Sequence, residues 1–179
     1  LQKGDWVIQD AANSGVGNCV ISIAKNLGLK TINIVRREGL DKALKNIGAD
    51  IVLLDNSELS KSVKSLTNNG NVKLAIDAVG GDQVLRIGDC LDDEATILNY
   101  GLLSGKNIEI SSNQTVFKRL ILTGFWLMPW LQRMDKKEIS DMYKYLANLM
   151  ESKVIHVPVE KTYALEDIKD AVAHAATYG

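Results

Sequence analysis

Apolar residues in the first hundred positions alternate between two rhythms: short unbroken β-prone runs, and longer segments where they recur every three or four residues. Trp6-Val7-Ile8, after the turn signal Lys3-Gly4-Asp5, predicts a strand buried in a parallel sheet. A helix from Val16 then places Val20, Ile21, Ile23, Ala24 and Leu27 at helical spacing, with Gly28 at its C-cap. Thr31–Val35 reads as a second strand, Ile51–Leu54 as a third, Leu74–Ile76 as a fourth and Thr96–Tyr100 as a fifth. Between them, Leu59, Val63 and Leu66 mark one face of a helix, and Val84, Leu85 and Ile87 mark another. After a polar stretch, Leu120–Leu127 predicts a sixth strand running into a turn. Ile139, Met142, Tyr143, Leu146, Leu149 and Met150 keep the spacing of a helix whose stripe is expected in the core, and a shorter helix from Leu165 through Val172 is expected to stop near Gly179.

The repeated strand–helix order predicts one α/β domain over residues 1–179. It is a Rossmann-type, doubly wound, six-stranded, mostly parallel sheet flanked by helices. Ligands of such sheets gather at the carboxyl ends of the strands, which here means Asn13–Gly17, Arg36–Glu38, Asp77–Gly81 and Tyr100–Ser104.

Composition narrows the function classes. With 46% hydrophobic residues, two prolines and a net charge of −1, the chain reads as an ordinary globular unit, and the lack of a basic stripe argues against nucleic acid as a partner. No apolar stretch reaches membrane-spanning length, and the start at Leu1-Gln2-Lys3 shows neither a methionine nor a signal-peptide pattern, so the chain is expected to be part of something longer. Cys19 and Cys90 lack paired spacing, and His156 and His174 lie far from them, so neither a disulfide nor a metal site is expected. Idle thiols point to a reducing compartment: the cytoplasm, or the mitochondrial matrix if the protein is eukaryotic.

The chemistry concentrates in Asp10-Ala-Ala-Asn-Ser-Gly-Val-Gly17, between the first strand and the first helix. Backbone N–H groups and the helix dipole there suit a pyrophosphate, and Gly15 and Gly17 permit close approach. The usual G-x-G-x-x-G would fall on positions 12, 14 and 17, which are Ala12, Ser14 and Gly17, so taken alone the loop is equally a structural turn. The end of the second strand tips the balance. An NAD site has Asp or Glu there for the ribose hydroxyls, whereas this chain has Arg36 and Arg37, followed by Glu38. A guanidinium pair makes charge-assisted contacts with a 2′-phosphate, which points to NADPH over NADH. Farther on, Phe125-Trp126-Leu127-Met128-Pro129-Trp130-Leu131 reads equally as core or interface and as a cofactor wall.

Asn13-Ser14-Gly15-Val16-Gly17, Thr31–Arg36, Ala78-Val79-Gly80-Gly81, Tyr100-Gly101, Phe117-Lys118 and Gly124-Phe125-Trp126-Leu127 together resemble the mitochondrial-type trans-2-enoyl thioester reductases. These belong to the zinc-free, quinone-oxidoreductase-like branch of the medium-chain dehydrogenase/reductase superfamily. The resemblance spans Leu1 to about Leu127 and implies NADPH-dependent reduction of the 2,3 double bond of an enoyl-CoA or enoyl-acyl carrier protein. It assigns Asn13, Ser14, Gly15 and Val16, with Gly17, to the pyrophosphate, and Arg36, Arg37 and Glu38 to the 2′-phosphate. Tyr100, Gly101, Leu102 and Leu103 fall on the ribose and nicotinamide path, and Phe125, Trp126 and Leu127 border the nicotinamide. The family's Arg-Asp-Arg is Arg36-Arg37-Glu38 here, its Gly-Met is Leu102-Leu103, and its Asn-Cys is Asp77-Ala78.

The resemblance further implies a GroES-like substrate domain before this segment and return strands after it, a proton-donating tyrosine in that earlier domain, and a homodimer formed through the edge of the sixth strand. No catalytic residue is therefore assigned to this chain. Two other readings stay open: an NADPH-dependent quinone or alkenal reductase, and a non-catalytic NADPH-binding sensor. A methyltransferase would need an acid where Arg36 stands.

Overall fold

Unbroken apolar runs make strands that are covered on both faces, and β1 (Trp6–Gln9) is buried along its whole length in the computed structural model, which describes residues 1–157 and 159–177. The chain continues through α1 (Gly15–Asn26), β2 (Lys30–Val35), α2 (Asp41–Ile47), β3 (Ile51–Leu54), α3 (Leu59–Thr67), β4 (Val72–Asp77), α4 (Gln83–Cys90), β5 (Thr96–Asn99) and β6 (Ile121–Gly124). Helices α5 (Leu127–Arg133), α6 (Lys136–Glu151) and α7 (Ile168–Ala176) follow. The strands form one six-stranded sheet in the order β3-β2-β1-β4-β5-β6. Every neighbouring pair is parallel, so the sheet is wholly, not mostly, parallel. The order reverses between β1 and β4, which opens the ligand crevice of a doubly wound sheet at their carboxyl ends.

Two cores sandwich the sheet. Ile21 of α1 and Leu44 of α2 pack with Ala12, Val35 and Ala49 on one face. On the other, Leu59 and Val63 of α3 and Val84 and Ile87 of α4 meet Ile8, Ile32, Ala75 and Ile97. Leu66, expected beside Leu59 and Val63, points to solvent instead.

Two elements depart from the sequence expectation, and one sharpens it. Helix α2 was not expected, although Leu40, Leu44 and Ile47 are spaced to signal it; it is short and buries only Leu44. Within Leu120–Leu127 the sixth strand covers Ile121–Gly124 before the expected turn, because its partner β5 ends at Asn99 and the last bridging bond is Phe125 N–H to the Asn99 carbonyl, 2.8 Å. Pro129 then sits in the first turn of α5, where its missing N–H costs nothing. The polar stretch before β6 contains a π-helical turn, Asn113–Phe117, with Gln114 fully buried and its Nε2 donating to the Leu85 carbonyl and Asp89 Oδ1 of α4, both 2.7 Å.

The apolar stripe of α6 is not core: only Leu149 of that helix is buried, and Tyr143 and Met150 are exposed. Helix α7 ends at Ala176, and the stop expected near Gly179 lies outside the described residues.

Candidate functional site

Four loops converge at the carboxyl ends of the strands, and side-chain amides fasten the first of them. Gln9, the last residue of β1, is buried, and its Nε2 donates to the Gly17 carbonyl (3.0 Å) and to Asn33 Oδ1 of β2 (2.8 Å). Asn33 passes the tie on to Thr31 and to the Ile51 carbonyl of β3, so the first turn of α1 is anchored across three strands.

Between β1 and α1 the chain reverses tightly, with Ala11 at φ +42°, in the left-handed region that L side chains seldom adopt. Ser14 caps α1, its hydroxyl accepting from Gly17 N–H at 3.1 Å. A Cβ on Gly17 would sit 2.5 Å from the Ala12 carbonyl oxygen, so this turn tolerates only glycine there. A Cβ on Gly15 would meet nothing within 4 Å, and Asn13, Gly15 and Val16 are exposed. The helix thus offers an open, positively polarised N-terminus with no acidic side chain in its first turn.

The third and fourth loops, after β4 and β5, are stitched together. Asp77, at the end of β4, is buried and accepts from Val79 and Gly80 N–H through Oδ1 and from Asn99 Nδ2 (2.6 Å) through Oδ2. Tyr100 N–H donates to the Asp77 carbonyl and Leu103 N–H to the Ala78 carbonyl, at 2.9 and 3.0 Å. A Cβ on Gly101 would come 2.5 Å from the Ala78 carbonyl oxygen, so only glycine lets these loops touch. Burial, followed by the charges of nearby Asp10 and Asp77, raises the Tyr100 phenol above its ordinary value, while its hydrogen bond with Ser14 opposes the rise. Leu102 and Leu103 project into solvent.

Both arginines are exposed; Arg37 lines a cleft of about 390 Å³ together with Asn13, Asn18, Leu40 and Leu44, whereas Arg36 lies outside that lining. Glu38 lines a smaller neighbouring hollow with Arg37 and Leu40. Arg37 and Asn13 therefore border one cleft, which runs between α1 and α2. Phe125 stands at the far end of β6, its ring edge-on to Trp130 at 5.7 Å, while Trp126 and Leu127 are exposed. A cleft of about 480 Å³ lies elsewhere, lined by Leu1, Asn71 and Thr96 at the amino ends of the strands. That is the wrong edge of a doubly wound sheet for a ligand.

Sequence reasoning missed Asp10 as a member of this cluster, although the residue opens the loop. Asp10 is buried, with Oδ1 accepting from Ala78 N–H at 2.7 Å and Oδ2 without a partner. Only the pairing of β1 with β4 brings it to Asp77.

A doubly wound parallel sheet with a capped, glycine-lined turn at its crevice and a cation beside it defines a dinucleotide-binding domain. The family model described as zinc-binding dehydrogenase matches residues 15–158, and the chain belongs to that family, within the medium-chain dehydrogenase/reductase superfamily. The mitochondrial enoyl-[acyl-carrier-protein] reductase of Arabidopsis thaliana is 40% identical over 154 residues, covering 83% of this chain and 41% of its own length. The Dictyostelium discoideum enzyme of the same name is 34% identical over 166 residues, covering 90% of this chain and 47% of its own length. The chain thus spans about half the length of these relatives.

Among solved structures, the mitochondrial 2-enoyl thioester reductase Etr1p/Etr2p heterodimer from Candida tropicalis matches with a TM-score of 0.85 at 26% identity, over 99% of this chain and 53% of its own. The Etr1p/NADP/crotonyl-CoA complex matches with the same score, identity and coverage.

The family's description implies zinc, but the residues do not fit it: among the described residues no group of three or more His, Cys, Asp or Glu side chains could hold a metal ion. Cys19 and Cys90 are free, and burial pushes the Cys90 thiol up to about 12, which keeps it an inert thiol. No helix among the described residues is long and apolar enough to cross a membrane.

Proposed function

We propose that this chain is the NADPH-binding domain of an enoyl thioester reductase. The observation that carries the reading is the Ser14-capped, open N-terminus of α1 beside the Arg37 cleft. Asn13, Ser14, Gly15, Val16 and Gly17 hold the pyrophosphate through backbone N–H groups and the helix dipole. Arg37 grips the 2′-phosphate from within the cleft, with Arg36 and Glu38 at its margin. Tyr100, Gly101, Leu102 and Leu103 flank the ribose and nicotinamide, and Phe125, Trp126 and Leu127 close the apolar end.

Bound NADPH supplies the hydride for the 2,3 double bond of an enoyl-CoA or enoyl-acyl carrier protein, and this chain's part is to hold, orient and shield it. Relatives named for acyl-carrier-protein substrates and a neighbour bound to NADP and crotonyl-CoA support that substrate class. We assign no proton donor to these residues, and the mitochondrial names of the relatives support a mitochondrial compartment for the enzyme. The exposed outer edge of β6, with Ile121 and Leu122, is the surface through which two copies would pair.

Calorimetric titration with NADPH and NADH tests the reading: NADPH is expected to bind more tightly, and preference for NADH or uptake of neither would end it. The purified chain is expected to bind NADPH yet reduce crotonyl-CoA negligibly; rapid turnover would overturn the division of labour.

A further inference from the structure

We propose that the buried Asp10–Asp77 carboxyl pair at the ends of β1 and β4 is a proton-operated control on the dinucleotide loop, admitting the pyrophosphate while the pair holds one proton and weakening its grip when that proton leaves. The inference rests on the cofactor reading above.

The two acids are built for different charge states. Asp77 has an N–H donor on each oxygen, with Val79, Gly80 and Asn99 serving it, so both oxygens are satisfied as acceptors. Asp10 has Ala78 N–H on Oδ1, while its Oδ2 is buried and has no donor. An ionised Asp10 would leave a bare negative oxygen in a dry site next to an ionised neighbour. A protonated Asp10 supplies the missing hydrogen itself and directs it to Asp77.

Burial first, then the closeness and the charge of the Asp77 carboxyl, push the Asp10 carboxyl up to about 8, and the Ala78 and Val79 backbone donors only partly oppose this. The other groups facing it do not compensate. From the end of β5 comes the Tyr100 phenol, itself raised by burial and then by the charges of these same two carboxyls. From α1 come the Ser14 hydroxyl and the helix N-terminus, and Arg36 and Arg37 beyond β2 are exposed. Asp10 takes part in none of the ion pairs among the described residues.

Charge on Asp10 acts on the cofactor in two ways. It sets a negative charge beneath the anion-binding turn of α1, whose own first turn carries none. It also loads the Ala78 N–H contact, and Ala78 is the residue against which Gly101 packs and to which Leu103 bonds. Asp10 is therefore a positioning residue, with a pH signature that a packing role lacks.

Asp10→Asn keeps the Oδ1 acceptor and puts a permanent N–H where the acid has its proton. Titrating the full chain and this variant with NADP⁺ from pH 7 to 9.5 at fixed ionic strength tests the proposal. The parent is expected to lose about thirtyfold in affinity across that range, as one proton must be regained on binding, while the variant stays level. Parallel profiles would overturn the proposal and leave the cofactor reading intact. Absence of NADP⁺ binding at every pH would overturn both.

The thermal midpoint of the ligand-free chain gives a second readout. The folded state keeps a proton that the unfolded carboxyl, at 3.8, has already lost, so stability falls as pH rises from about 4 towards 8. Asp10→Asn should flatten that fall, and equal slopes in parent and variant would count against the proposal.

Discussion

Helices α3 and α6 carry similar apolar stripes and meet opposite fates. Leu59 and Val63 of α3 are buried against the sheet and α4, whereas α6, nearly twice as long, buries only Leu149. Helix α7 buries none of its side chains, with Leu165 just before it 83% exposed. Periodicity establishes that a helix has an apolar face; it does not establish what covers that face. In the β1–β6 layer the chain's own sheet does so, and beyond Gly124 only Leu149 and Ile155 are buried among the described apolar side chains.

The contrast can be broken where it is strongest. Ile97→Ala, at a fully buried position of β5, should cost about 2–5 kcal/mol in denaturant unfolding. A loss under 1 kcal/mol would mean that the layer is looser than its burial indicates. Gly17→Ala places a Cβ against the Ala12 carbonyl, so the loop must shift; a loss on the order of 2 kcal/mol in stability and no measurable NADPH uptake are expected. Full retention of binding would show that the turn adapts.

Arg37→Ala should weaken NADPH by about 10–100-fold and leave NADH unchanged in paired titrations, which distinguishes a phosphate contact from a merely solvated charge. Arg86→Ala removes the two-pronged contact of α4 with Asp55 at the end of β3, 2.6 and 2.7 Å, and should lower stability by about 1 kcal/mol. Leu165→Ala closes the series with an expected change within about 0.5 kcal/mol. A loss as large as that of Ile97→Ala would show that the carboxy-terminal helices are covered in solution and would dissolve the comparison.

The site was legible in proportion to how local its physics is. Ser14, Gly15 and Gly17 announce themselves because a strand-to-helix turn with a cap is decided by adjacent residues. Arg37 was legible as one of a pair, but its separation from Arg36 required the cleft formed with Asn13 and Leu40. Gln9 and Asn33 gave no signal, since a polar residue at a strand end looks solvated until its neighbour in the sheet is known. Asp10 and Asp77 are distant in sequence, and neither shows by itself which of the two will keep a proton.

Residue order alone dictates the alternation of strands and helices, the crevice loops and the sign of the charge beside them, because hydrophobic period, glycine freedom and side-chain charge act within a few residues. Which apolar faces are covered, where the sixth strand stops and which two carboxyls share a dry pocket are settled by long-range packing. Those outcomes depend on strand pairing and burial, and both are properties of residues brought together from distant parts of the chain.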